Sequence, residues 1–208
     1  MASTRGRAST SPALAHERRD IAASSGGLRL ALVADTHSKP HPLVHERLQA
    51  LQPAAILHAG DIGDPRVIDE LGSIAPVHAV RGNIDGRAEF PDVLTLRVKD
   101  GASVLFSILL LHIAVYGPRL RPEAKRLAAQ EDCDLVVCGH SHVPFAARWP
   151  GVAVFNPGSI GPRRFELPIV FGTLDLSAKG VQLRHVDCET GDVWSPPPSS
   201  TSVTGRQN

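Results

Sequence analysis

Two histidines stand one residue apart where an apolar run stops, in "LVVCGHSHVPF" from Leu135 to Phe145. Side chains alternate along an extended chain, so His140 and His142 are expected to aim both imidazoles the same way. Imidazole is the commonest protein metal ligand. One such pair says little unless other segments aim similar groups at the same place, and four others do. Asp35 and His37 close "LRLALVADTH", Asp61 closes "AAILHAGD", Asn83 closes "PVHAVRGN" and His112 closes "SVLFSILLLH". Each residue alone has an ordinary reading: a turn cap for Asp35, a left-handed turn for Asn83, a core histidine for His112. Five segments with the same habit point to a common centre.

Seven donors are too many for one tetrahedral ion. They suit two ions that share a carboxylate, with a neutral asparagine oxygen completing a shell. The set has no thiolate. Imidazole, carboxylate and amide together suit Mn, Fe, Co, Ni or Zn better than Mg or Ca, so the expected cofactor is two divalent transition ions, Mn first among them. Two such ions about 3.5–4 Å apart form the usual clamp for phosphate ester hydrolysis. They neutralise phosphate charge and lower the pKa of a bridging water until hydroxide attacks in line.

These donors need elements to position them. The segments before them are continuous apolar runs, the pattern of strands buried on both faces. Helix signals lie between them. His41–Gln52 places Val44, Leu48 and Leu51 on one face; Asp64-Pro65 opens a short helix that Gly72 closes; Pro122 opens a third with Ala124, Leu127 and Ala128 inward. Alternating strand and helix predicts an α/β fold with parallel pairing in the first half. In such sheets sites form beyond the carboxyl ends of the strands, where the donors stand. Gly60, Gly82 and Gly139 each precede a donor and are expected to permit the sharp turn. After Gly151 only strands are expected, at Val152–Phe155, Pro168–Leu174 and Val181–Val186, and they suggest a second sheet.

The chain has 208 residues, enough for one sizeable core. Residues 1–27, rich in Ser, Ala and Arg, and the Pro/Ser-rich stretch 189–208 lack a core pattern and are expected to be loosely attached. That leaves a domain at 28–188. A net charge of +1 gives no long-range pull toward nucleic acid or anionic lipid, so a small substrate is expected. The longest apolar stretch, Val104–Tyr116, is too short to span a bilayer. Three cysteines without a C-x-x-C pair or a secretory signal fit a reducing, cytoplasmic setting. Oligomeric state is not readable.

"DTH", "GD", "GN", a strand-end histidine and "GHSH", in that order, resemble the calcineurin-like metallophosphoesterase superfamily. "ILHAGDI", "AVRGNID" and "FNPGSIGPRR" resemble its small bacterial and archaeal phosphodiesterase branch, which also includes the retromer subunit of eukaryotes. The resemblance covers Leu30 to about Leu174. It implies a four-layer α/β/β/α sandwich of two mixed sheets. It implies Asp35, His37 and His142 on one ion, Asn83, His112 and His140 on the other, and Asp61 bridging, with Asp61, Asn83 and His112 in the catalytic set. It places "NPGSIGPRR" near the site, where Arg163 or Arg164 could clamp phosphate and Asn83 could touch substrate. Two positions depart. Ile84 stands where the superfamily often has a histidine that helps the leaving group depart, which leaves Asp85 a structural part and His58 a possible proton source. His112 is followed by Ile113, where the family usually has glycine. The activity implied is hydrolysis of phosphodiesters. The alternative is a non-catalytic interaction module with a vestigial metal site, a reading that seven competent donors disfavour.

Overall fold

Along β2 of the computed structural model, Leu30 and Leu32 face one way and Ala31 and Val33 the other, and all four are fully buried. Such a strand must be covered on both faces. The structure describes residues 14–23, 27–117, 119–164 and 166–195. In chain order the strands are β1 (His16–Ala22), β2 (Leu28–Val33), β3 (Ala55–His58), β4 (Val77–Ala79), β5 (Val93–Asp100), β6 (Ser103–Leu111) and β7 (Val115–Tyr116). They continue with β8 (Arg119–Leu120), β9 (Leu135–Val137), β10 (Phe145–Trp149), β11 (Val152–Asn156), β12 (Val170–Ser177), β13 (Gly180–Asp187) and β14 (Val193–Trp194). The helices are α1 (Val44–Leu51), α2 (Arg66–Gly72) and α3 (Pro122–Gln130).

Two mixed sheets result, ordered β1-β5-β6-β9-β11-β10 and β14-β13-β12-β2-β3-β4. Between them lies a core in which Leu30, Leu32 and Leu57 meet Leu94, Leu96, Ile108, Leu110 and Phe155. Burying each such side chain contributes roughly 1.5–3 kcal/mol. The outer faces are covered by helices. Val44 and Leu48 of α1 and Val67 and Leu71 of α2 pack on Ala31, Val33 and Ile56; Ala124, Leu127 and Ala128 of α3 pack on Leu109, Leu111 and Val136. The order of layers is therefore α/β/β/α. Asp64 Oδ1 accepts from Arg66 N at 3.0 Å and holds the start of α2, while Pro122 is the first residue of α3.

The second sheet is not built from the C-terminal strands alone. β12 pairs antiparallel with β2 and extends the first parallel set, whereas β11 joins β9 in the other sheet. The domain boundary at residue 28 also needs correction, because β1 lies within the stretch read as loose and pairs in parallel with β5 from His16↔Val93 to Ala22↔Lys99. Only Ile21 of β1 is buried, so no apolar alternation announces it. An edge strand of this kind is held by its ladder and by charges: Asp20 meets Lys99 at 2.7 Å, and Arg18 pairs with Glu131. At the other end β14 pairs with β13, and Trp194 sets its edge against the His185 ring. The rest of the two terminal stretches, 1–13 and 196–208, lies outside the described residues. Among the described residues no helix is long and apolar enough to cross a membrane. Cys133, Cys138 and Cys188 are free and buried, and burial pushes each thiol up to about 12.

Candidate metal centre

β2, β3 and β4 of one sheet and β6 and β9 of the other end at the same edge of the sandwich, and every expected donor follows one of these ends. The structure brings five of the seven together in two overlapping groups. Ligand atoms of Asp35, His37 and His142 lie within 4.8 Å of one another, as do those of Asp35, Asp61 and His112. Asp35 thus belongs to both groups. His37 stacks on His142 with ring centroids 5.1 Å apart, and their Nε2 atoms face each other at 3.2 Å. His140 instead meets His112 edge-on at 5.2 Å and has its Nδ1 3.1 Å from the Asn83 amide nitrogen. The histidines of the His-x-His pair therefore serve opposite sides of the centre.

They reach those sides by a route the spacing did not suggest. The pair is not extended: His140 has φ 70° and His142 φ 59°, and Asp35, His37 and Asp61 are left-handed too, at 56°, 46° and 55°. Asp, Asn and His are the non-glycine residues most often found there, and such residues gather at functional sites. Of the glycines before the donors, Gly60 has φ 90° and makes the turn expected of it. Gly82 serves differently. A Cβ there would lie 2.2 Å from both Asp61 N and Asp61 Oδ1, so its lack of a side chain lets two loops approach.

Hydrogen bonds fix the donors in place. His112 Nδ1 lies 2.8 Å from the Ala59 carbonyl, which can only accept, so Nδ1 carries a proton and Nε2 is the nitrogen left to face the cluster. That Nε2 is buried and has no hydrogen-bond partner; Asp61 Oδ1 is 3.4 Å away, an electrostatic contact only. Asp35 accepts from His140 N at 3.0 Å, and Asp61 Oδ1 accepts from Asn83 N at 2.5 Å and Ile84 N at 3.3 Å. Asp85 accepts from Ile62 N, Gly63 N and Gly82 N, which makes it a structural tie between the Asp61 and Asn83 loops. His58 is fully buried with both nitrogens engaged, Nδ1 accepting from Gly60 N and Nε2 facing Thr36 Oγ1. It is therefore no proton source for a leaving group. Neither His112 nor Ile113 is left-handed, and the ring still reaches the cluster.

Electrostatics match a centre that awaits positive charge. Burial raises the Asp35 carboxyl to about 7 and drives His142 down to about 4; it also lowers His37 and His140. Burial opposes the charge on His112 and Asp61 as well, yet their mutual attraction raises the imidazole and lowers the carboxyl. The imidazoles of His37, His140 and His142, which burial keeps neutral, with the clustered carboxylates and the buried Nε2 of His112 beside Asp61, form a donor set that fits divalent transition ions.

The "NPGSIGPRR" loop closes the site. Asn156 Nδ2 donates to Gly139 O at 2.8 Å and Ser159 Oγ to Asp35 O at 2.9 Å, so this loop braces the backbone of Asp35 and of the residue before His140. Neither brace was identified from the sequence; only the turn-rich composition of the loop pointed there. Arg163 does not face the centre. Its guanidinium donates to Leu167 O at 2.8 Å and Glu189 at 2.6 Å, which corrects the clamp role expected of it. Arg164 faces the centre instead, 3.3 Å from His37 Nε2.

Comparison with known proteins agrees with this geometry. A probable metallophosphoesterase of Methanothermobacter thermautotrophicus is 32% identical over 117 residues, 55% of this chain and 65% of that protein. The phosphodiesterase YfcE of Escherichia coli K12 is 30% identical over 116 residues, 53% of this chain and 59% of the relative. The chain thus spans less than two thirds of the length of these relatives. The structure of vacuolar protein sorting 29 from Cryptosporidium parvum superposes with TM-score 0.64 at 22% identity, covering 81% of this chain and 95% of that one. The family model described as the calcineurin-like phosphoesterase superfamily domain matches residues 28–179. With its two mixed sheets and its donors at their shared edge, the chain belongs to the calcineurin-like phosphoesterase superfamily.

Proposed function

We propose that the chain is a phosphodiesterase that works with two divalent transition ions, Mn foremost, on a small phosphodiester in a reducing cytoplasm. The observation that carries this is the buried, unpartnered Nε2 of His112 among carboxylates and imidazoles from four strand ends. Asp35, His37 and His142 would hold one ion, Asn83, His112 and His140 the other, and Asp61, whose two oxygens lie 3.7 Å from His37 Nε2 and 3.4 Å from His112 Nε2, would bridge, with Asp35 close to both sides. When bound, the ions supply charge neutralisation and activation of a water nucleophile. The chain's residues do the rest. Ala59 O and the backbone N–H groups on Asp35 and Asp61 keep the donors in register, so little reorganisation accompanies reaction. Arg164 grips a non-bridging phosphate oxygen, and the Asn83 amide meets another.

Full loss of diester hydrolysis on chelation, with recovery on Mn²⁺, is expected. Asp61→Ala should lower the metal content from about two ions to one or fewer. Undiminished hydrolysis by chelated protein, or two ions and normal turnover in that variant, contradicts the reading. The fold shared with vacuolar protein sorting 29 keeps a second reading in view, a protein-docking module. Metal-loaded protein inert toward every diester and monoester favours that one.

A further inference from the structure

A cavity of about 200 Å³ opens beside Asn83 and His112, walled by Leu111, Ile113 and Leu127, with Arg121 among its lining residues. Whole ligands usually need roughly 300–1,000 Å³, so this space suits one arm of a molecule whose centre sits elsewhere. Two arginines line it. Arg81 is committed to Asp92 and to Gly82 O. The guanidinium of Arg121, at the start of α3, makes no hydrogen bond or ion pair with any described residue, and Glu123 beside it forms none with it. Arg121 also lies near enough to His140 for its charge to act on that ring. A cleft with apolar walls and a charged rim, in which Asp92 is already paired with Arg81 and Arg121 is not paired, adjoins two donors of the metal centre and has the form of a specificity pocket.

We propose that this cavity seats one ester arm of the substrate, and that the preferred arm is small, apolar and ends in an anionic group received by Arg121. The proposal rests on the phosphodiesterase reading for its orientation. The ester phosphorus lies at the centre; the arm enters past Asn83 and His112; its terminal carboxylate or phosphate meets the guanidinium. A neutral arm fills the same space and forgoes that contact.

The test reads binding rather than turnover. Two phosphinates serve as probes, benzyl(methyl)phosphinate and its 4-carboxybenzyl analogue; phosphorus there bears two P–C bonds and is not hydrolysed. Calorimetry on the full Mn²⁺-loaded chain should show the carboxylated probe binding about fivefold tighter, the scale of one exposed charge pair. Arg121→Gln should bring the ratio to about one, and Arg121→Lys should keep part of it. Equal affinities in the natural chain, or a preference that survives Arg121→Gln, overturn the proposal. So does equal weakening of both probes by that variant, since Arg121 would then be gripping the central phosphorus group. A natural chain that keeps the preference yet hydrolyses no diester overturns the phosphodiesterase reading and leaves the subsite standing.

Discussion

Acid should weaken this protein through His58 before it reaches most carboxylates. The ring is fully buried, its Nδ1 accepts from Gly60 N at 3.1 Å, and a proton added there would set two N–H groups against each other. Burial lowers its pKa from 6.5 to about 4. In the unfolded chain the same ring titrates near 6.5. Between those values the unfolded chain holds a proton on this ring that the folded chain refuses, so the His58 contribution to stability falls as pH falls. The loss starts near pH 6.5 and ends near pH 4. At about 1.4 kcal/mol per pH unit it amounts to on the order of 3 kcal/mol, a large share of the roughly 5–15 kcal/mol that holds a domain together. Urea unfolding of metal-stripped protein at pH 7, 5.5 and 4.5 measures it. His142, also lowered to about 4, titrates in the same window with the same sign, and Asp35, raised to about 7, titrates there with the opposite sign, so only the difference between the natural chain and His58→Gln isolates this ring. The variant is expected to start less stable at pH 7, having lost a well-made pair of hydrogen bonds, and to decline less steeply. Parallel declines in the two proteins would refute the assignment to His58.

Gly82→Ala should destabilise by about 1–3 kcal/mol through overpacking and should also cut metal content, because the new methyl meets Asp61 at 2.2 Å; unchanged metal stoichiometry in a folded variant contradicts this. Ile84 is half exposed and cannot donate a proton, so rates should fall steeply as the leaving-group pKa rises. Ile84→His should flatten that dependence by helping alkyl esters, and a flat plot for the natural chain removes the argument. Deleting residues 1–23 takes away β1 and opens the edge of β5, and should lower the thermal midpoint and promote association. An unaltered melt after that deletion shows that β1 adds nothing.

The donors and the layered architecture were legible because both leave strong local marks. Apolar runs such as Leu28–Val33 and Leu135–Val137 are buried on both faces and stop at polar groups, whatever else the chain does. β1, β5 and β10 were missed: β1 buries only Ile21 and draws on a partner distant in sequence, β10 alternates but buries no residue fully, and β5 mixes Thr95, Arg97 and Lys99 into its apolar run. β12 was read as a strand and set in the wrong sheet, because a strand's own composition does not name its neighbour. The His-x-His spacing led to the right residues through an incorrect geometry: the backbone is left-handed there, and the two rings part company. Arg163 and Arg164 could not be told apart by type. Glu189 decides between them by occupying the first, and that contact spans 26 positions.

The left-handed backbone at Asp35, His37, Asp61, His140 and His142 has a consequence for how this site can change over generations. β-Branched and bulky residues are penalised there before any question of chemistry arises. The substitutions that the backbone tolerates best are Asn, Asp, His and Gly, and three of those four still offer a metal an oxygen or a nitrogen. Random replacement at these five codons is therefore filtered twice in the same direction, once by folding and once by function. A library that randomises them and is selected for solubility alone should come back enriched in donor residues, so that the centre can outlast long periods in which nothing asks it to work.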